Sequence, residues 1–382
     1  MKILLEESLL YAHEFFNSFG ECVSYSGASV TPEDIRDADA LIVRSTTQVD
    51  RPLLKLNNSL KFVGTATAGA DHLDTEYLAE RNVTVQTAAG CNAVAVTEYV
   101  LSAILHLAVQ RGFSLRAKSV GILGAGHIGS LLSERLSALG VSVKLCDPLL
   151  QAAGDPRKFV ALDAIMSCDI ISLHVPLTFD TTTRWPTLHL FDEARLSTLD
   201  DEQILINACR GEVIDNRALL QCKRQGRKFA VVLDVWENEP NINFELAQQV
   251  DIATGHIAGH SLEGKGRGTE MMFRAWSRIA NCDSSRYLEQ FLPPVQNKVL
   301  DTALGRSEDE AWLSVVRQVY DIEQDSRLFL ESVRTGDAFR HYRKNYAVRR
   351  EFGSFAVNVG LQSDPDNVKI AQAFSALGFG HL

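Results

Sequence analysis

One stretch limits what this chain can fold into more than any other. The short apolar run Ser119-Val-Gly-Ile-Leu123 leads into Gly124-Ala125-Gly126-His127-Ile128-Gly129, and apolar residues at helical spacing follow to Leu139. A strand, a G-x-G-x-x-G turn and a helix in that order open a dinucleotide-binding βαβ unit. Gly124 permits the tight turn, Gly126 lets the backbone approach a pyrophosphate, and Gly129 lets helix and strand pack closely. The helix beginning at His127 and Ile128 then offers unpaired N–H groups to the phosphates. Asp147 closes the next strand candidate, where an acid accepts hydrogen bonds from ribose hydroxyls and repels a 2′-phosphate. Pro148-Leu149-Leu150-Gln151 supply no arginine for such a phosphate, so the expected cofactor is NAD.

Around this unit, short apolar runs alternate with helical patterns. Before it, Lys2–Leu5, Cys22–Tyr25, Ala40–Val43, Lys61–Thr65 and Val83–Thr87 read as strands, followed by a helix over Asn92–Gln110. After it, Val141–Cys146, Asp169–Val175, Ile204–Asn207, Phe229–Val235 and Asp251–Thr254 read as strands, and Leu262–Cys282 as a helix. Such alternation predicts an α/β protein with parallel sheets. The pair Pro293-Pro294 marks a linker, and beyond it lies a small α+β tail. The tail has a predicted helix over Glu310–Glu323, a basic run Arg340–Arg350, a strand Phe355–Val359 and a helix Val368–Leu377.

Composition narrows the function. With 382 residues and a formal net charge of −10, nucleic acid is a poor partner, and the basic run reads as a helix face at an interface. No run approaches the roughly 18 apolar residues that span a bilayer, so no membrane association is expected. The seven cysteines form no C-x-x-C pair. Together with a start lacking a signal-peptide pattern, they suggest a reduced cytoplasmic protein without a metal site.

Three polar segments follow predicted strands, where open α/β sheets bind ligands. Arg210 stands in Asn207-Ala208-Cys209-Arg210-Gly211-Glu212-Val213-Ile214-Asp215, and Glu237 and Glu239 in Asp234-Val235-Trp236-Glu237-Asn238-Glu239-Pro240. His256 stands in Gly255-His256-Ile257-Ala258-Gly259-His260. Any one of these is ordinarily structural; an arginine, a glutamate and a histidine at successive strand ends are much harder to obtain by chance. N-A-C-R-G-x-V-x-D, L-D-V-W-E-x-E-P and H-I-A-G resemble the signatures of the D-isomer-specific 2-hydroxyacid dehydrogenases. Further segments are similar to one tail-bearing member of that family: Val43–Thr47, Phe62–Gly69, Gly90–Asn92, Glu98–Val100, Ser261–Thr269 and Arg343–Glu351.

The resemblance implies two doubly wound parallel-sheet domains, one flavodoxin-like for substrate and one Rossmann domain for NAD, plus a small C-terminal α+β dimerisation domain. Their expected bounds are 1–95 with 257–290, 96–256, and 291–382, with the active site in a cleft. It assigns Arg210 to the substrate carboxylate, His256 to acid/base chemistry and Glu239 to partnering that histidine. Asp147, Val175, Ala208, Cys209, Asp234 and Gly259 line the NAD site alongside the glycine turn. Ser45 and Thr67 contact substrate, as does His260, which stands where the family has tyrosine. The implied substrate is a small phosphorylated hydroxy acid, with Arg44, Lys265 and Arg267 as candidate phosphate cations. A homodimer is implied through the tail, part of whose apolar helical face, Trp312, Val315, Val316, Val319 and Tyr320, would meet its copy. Glycerate or 3-phosphoglycerate as substrate, or a non-catalytic NAD-sensing corepressor, are the alternatives.

Overall fold

The computed structural model describes the chain except residues 28, 180–182, 283–284, 303–306, 348, 360–364 and 381–382, and the side chains of 365–368. Val348, inside the tail segment singled out above, and Val368, which opens its last predicted helix, thus fall outside the described side chains. The chain forms two compact units, residues 1–93 with 260–294, and residues 94–259 with 295–382.

The first unit carries β1 (Lys2–Glu6), β2 (Glu21–Tyr25), β3 (Ala40–Val43), β4 (Phe62–Thr65) and β5 (Thr84–Thr87). They form one parallel sheet in the order β2-β1-β3-β4-β5, which is the flavodoxin-like order. β3 and β4 are buried along their whole length, as a sheet covered on both faces requires. The helix Leu262–Ala280 returns to this unit, capped by Ser261, whose hydroxyl accepts from Gly264 N–H at 2.9 Å.

The second unit carries β6 (Ser119–Leu123), β7 (Ser142–Cys146), β8 (Ile170–Leu173), β9 (Ile204–Asn207), β10 (Ala230–Leu233) and β11 (Ile252–Ala253). The order is β11-β10-β9-β8-β6-β7, all parallel. The direction of winding reverses at β6, so the glycine-rich turn leaves the sheet at its switch point, where such sheets bind ligands. At the other side, Asn207, Leu233 and Ala253 stand level across β9, β10 and β11. Arg210 and His256 each follow their level position by the same short interval.

The helix Ala93–Arg111 is, against the sequence expectation, long and apolar enough to cross a bilayer, yet 83% of that window is buried in the core of this unit. Reading consecutive apolar residues missed it because Thr97, Glu98, Ser102 and His106 interrupt the run. Glu98 is wholly buried. Its Oε1 accepts from Phe352 N–H at 2.8 Å and lies 3.9 Å from Arg135, while Oε2 has no hydrogen-bond partner. Burial pushes its carboxyl from the ordinary 4.5 to about 8, against the pull of Arg349 and Arg135. The folded chain therefore holds a proton that the unfolded chain releases, so stability falls as pH rises from about 4.5 through 8. Urea midpoints should drop over that range in the wild type and stay flatter in Glu98→Gln; an unchanged slope in the variant refutes this source of pH dependence.

The small C-terminal domain expected beyond Pro294 groups with the second unit. β12 (Val299–Asp301) and β13 (Ala356–Asn358) form a two-stranded parallel sheet, flanked by helices Glu308–Val319, Ile322–Ser332, Gly336–Lys344 and Pro365–Leu377. The single helix expected over Glu310–Glu323 is broken at Tyr320, because Asp321 turns its side chain to cap Glu323 and Gln324. Trp312, Val315, Val316 and Tyr320 share one core with Val96, Tyr99, Val100 and Ile104, and Val319 packs against it. The apolar face, part of which was expected to meet a second copy, is thus covered within the chain, with Val319 partly buried. The basic run is not a helix face throughout either: the helix ends at Lys344, and Arg349 is buried, donating to the carbonyls of Ala95 and Ala258 at 3.1 and 2.7 Å.

Candidate active site

The glycine turn is built as its sequence requires. Gly124 has φ +90°, a left-handed conformation, and a Cβ there would lie 2.3 Å from the carbonyl oxygen of His174. Gly126 faces open space and caps the helix His127–Ala138 without any side-chain hydrogen bond, so no side chain occupies the helix's N-terminal donors. Gly129 presses on the carbonyl of Gly124. Asp147 accepts from Ala125 N–H at 2.9 Å and Leu150 N–H at 3.0 Å, which ties the acid to the turn and leaves lone pairs for a diol. Open backbone at Gly126, uncapped donors and a fixed acid fit NAD.

Arg157, ten residues beyond Asp147 and outside any motif, also reaches this turn. Its guanidinium is filled by Asp155, the Ala125 carbonyl and Ser130 Oγ. Replacing Asp147 with alanine should raise KM for NAD about 10-fold or more, the value of a hydrogen bond to a charged group, and narrow the gap to NADP. Steady-state kinetics with both cofactors check this; an unchanged NAD/NADP ratio overturns the ribose assignment.

Val175, half-buried, approaches Gly124, and Ala208 and Cys209 are buried past the end of β9. Burial pushes the Cys209 thiol up to about 11, so it stays protonated and unreactive. Asn207 shapes the next turn: its Oδ1 accepts from Cys209 N–H at 3.1 Å and its Nδ2 donates to the Arg210 carbonyl at 2.9 Å. Arg210 is half-buried, with Nη1 donating to the Cys209 carbonyl at 2.8 Å. Gly211 has no alternative, because a Cβ there would lie 2.0 Å from the Trp236 carbonyl carbon.

Of the two acids after β10, the structure separates the roles. Glu237 is held by His189 at 2.6 Å and by Asn216 N–H at 2.9 Å. Glu239 Oε2 lies 2.7 Å from His256 Nδ1, and its Oε1 accepts from Trp236 N–H at 3.0 Å. Burial opposes ionisation of Glu239, but the hydrogen bond and charge of His256, the Arg343 guanidinium and Trp236 N–H hold it below the usual carboxyl range. A carboxylate can only accept, so Nδ1 carries the proton and Nε2 is the nitrogen left to exchange one with a substrate.

Asp234, expected to line the cofactor site, organises the segment that follows β11. Its carboxylate accepts from Thr254 Oγ1 and from the N–H groups of Ile257 and Ala258 at 2.7, 2.8 and 2.9 Å. Its carbonyl accepts from His256 N–H at 2.6 Å. These bonds hold His256 at φ +57°, a conformation unfavourable for a non-glycine residue. No motif pattern announces this pinning role, which depends on β10 and β11 being level. Gly259 ends the segment, half-buried.

The expected substrate contacts belong to the first unit. Ser45 is exposed just after β3, and Thr67, just after β4, shares a hydrogen bond of 2.7 Å with Thr65. His260 is half-buried, as are Arg44, Lys265 and Arg267; Arg267 donates to the Cys91 carbonyl at 2.6 Å.

A nucleotide-binding switch point and a Glu–His pair on one parallel sheet define a dehydrogenase scaffold. A family model described as "D-isomer specific 2-hydroxyacid dehydrogenase, NAD binding domain" matches residues 98–258, and a second, described as a domain of unknown function, matches 291–378. The chain belongs to the D-isomer-specific 2-hydroxyacid dehydrogenase family. Within it, erythronate-4-phosphate dehydrogenase of Pseudoalteromonas atlantica is 49% identical over 99% of both chains. That of Shewanella halifaxensis is 45% identical over 94% of both. Among solved structures, NAD-bound 3-phosphoglycerate dehydrogenase of Entamoeba histolytica has a TM-score of 0.59 at 25% identity, covering 74% of this chain and 94% of its own.

Proposed function

We propose that this chain is an NAD-dependent dehydrogenase that oxidises 4-phospho-D-erythronate at C2 to 2-oxo-3-hydroxy-4-phosphobutanoate, a step in pyridoxal 5′-phosphate (vitamin B6) biosynthesis. The relatives that match it end to end carry this activity in their names, and the 2.7 Å contact between His256 and Glu239 supports the chemistry. A pair arranged to move a proton also speaks for catalysis over a sensing role.

In the forward direction His256 Nε2 accepts the C2 hydroxyl proton, and the Glu239 carboxylate steadies the imidazolium that forms. Arg210 holds the substrate carboxylate through its planar fork. NAD, when bound, supplies the two-electron acceptor; Gly124, Gly126, Gly129 and Asp147 hold it, with Val175, Ala208, Cys209, Asp234 and Gly259 beside them. Ser45, Thr67 and His260 contact substrate, and Arg44, Lys265 and Arg267 are the candidates for its phosphate. Two finer parts of the reading have separate grounds: the resemblance implies a homodimer joined through the C-terminal segment, and the cysteine pattern points to the cytoplasm. That the seven cysteines form no disulfide among the described residues supports a reducing compartment.

NADH formation with 4-phospho-D-erythronate, glycerate and 3-phosphoglycerate tests the substrate. The reading requires kcat/KM to be highest for the first; a preference for either of the others replaces it.

A further inference from the structure

The tail does more than share a core with the NAD-binding domain. Its residues touch the segment that carries the catalytic histidine at several points. Ser326 Oγ accepts from Ala253 N–H at 3.0 Å, and Arg349 donates to the Ala258 carbonyl. Phe329 and Tyr342 lie against Gly255, where a Cβ would come within 3.0 and 2.9 Å of their rings. These contacts are structural props. One more is different in kind, because it brings charge. Arg343, in the last turn of the helix Gly336–Lys344, places Nη1 4.0 Å from Glu239 Oε2, the oxygen that also meets His256. Glu239 is its one ion-pair partner among the described residues, and Arg343 Nε is buried with no hydrogen-bond partner.

We propose that Arg343 is a positioning residue for the acid/base pair: its guanidinium keeps Glu239 a carboxylate turned toward His256 and so sets the pH at which the pair releases its proton. The inference rests on the dehydrogenase reading above, in which His256 must be unprotonated to begin oxidation. Arg343 belongs to the tail, outside the shared NAD-binding domain, so this cation is an addition to the family's arginine, glutamate and histidine.

The sign follows from charge. A proton on the Glu239–His256 pair is repelled by the neighbouring guanidinium, so removing that cation makes the pair hold its proton to higher pH. Other titratable groups packed on this segment are occupied. Asp234 is bound by Thr254, Ile257 and Ala258, and Glu237 by His189 and Asn216. Asp325 accepts from the Tyr346 hydroxyl at 2.6 Å, and the Tyr342 hydroxyl donates to the Asp325 carbonyl. Arg210 and Arg349 stay in every variant tested.

The experiment is the pH dependence of kcat/KM for oxidation by the full-length protein and its Arg343→Met and Arg343→Lys variants. In Arg343→Met the acid limb should move up by about one pH unit, the low end for a neighbouring charge, because a side chain 35% exposed is partly screened. Arg343→Lys should bring the limb back toward the wild type. In a Glu239→Gln background, Arg343→Met should give a smaller shift, because only the direct repulsion between the guanidinium and a protonated His256 is then lost. A lower plateau with an unmoved limb means a merely structural role and overturns the proposal, as does equal behaviour of the methionine and lysine variants. If Arg343→Met does not fold, as judged by NAD binding, the neutral Arg343→Gln takes its place: its limb must move up in the same way, and an unmoved limb overturns the proposal. A wild type inactive on every 2-hydroxy acid tested instead removes the dehydrogenase reading, which is a separate result.

Discussion

Exchanging His256 for alanine is expected to lower kcat by about 10²–10⁴-fold, the usual range for a general acid–base group, while leaving NAD affinity close to wild type. The geometry makes the two effects separable. His256 meets Glu239 through Nδ1, and its ring is 37% exposed, so the imidazole props no core that its loss would collapse. The backbone of the segment is held independently, by Asp234 bonds to the N–H groups of His256, Ile257 and Ala258. The glycine turn lies at the other end of the switch, between β6 and β7, and has no hydrogen bond to the histidine. Single-turnover and steady-state rates, with NAD binding measured alongside, check the expectation. Near-normal turnover would remove His256 from the chemistry. It would also revive the sensing alternative, since a sensor can bind the cofactor without a working base.

How much of this was legible beforehand depends on the range of the interactions. The strands Ala40–Val43, Ser119–Leu123 and Ile204–Asn207 match their predicted bounds, because each is a short apolar run bounded by breakers, and that signal is local. The glycine turn and Asp147 were legible for the same reason. The choice between Glu237 and Glu239 was not available from the spacing alone. It turns on which carboxylate the chain delivers to His256 and which to His189, and only the resemblance pointed to Glu239. The tail was hardest. Nothing in the run Arg340–Arg350 tells a reader that Arg349 points inward, since its acceptors are carbonyls at Ala95 and Ala258. Nor does helical spacing at Trp312, Val315 and Val316 say whether that face meets a second copy or the chain's own helix Ala93–Arg111. Periodicity reports that a face is buried, not what buries it.

That distinction changes what deletion of the tail should do. Were the tail only an oligomerisation module, a chain ending near residue 294 would be a soluble monomer that still bound NAD. The structure predicts instead that it aggregates or fails to fold its second unit. Leu300, Trp312, Leu313, Val315, Val316, Phe352, Phe374 and Leu377 all enter the core that contains Val96, Tyr99, Ile104, Leu132 and Leu136. Burial of such side chains contributes about 1.5–3 kcal/mol each, so even half of their sum rivals the roughly 5–15 kcal/mol that keeps a domain folded. The loss is polar as well. Without the tail, Glu98 loses the Phe352 N–H, Leu115 N–H loses its 3.2 Å bond to Asp309, and Arg135 loses the Leu377 carbonyl. A buried acid and a buried donor would be left without partners, each a further penalty of about 1–3 kcal/mol. Light scattering and NAD titration on residues 1–294 decide the matter. A monodisperse fragment that binds NAD like the full chain would show that the tail's contacts are dispensable and return it to a purely dimerising role; aggregation with lost cofactor binding is the outcome these contacts require.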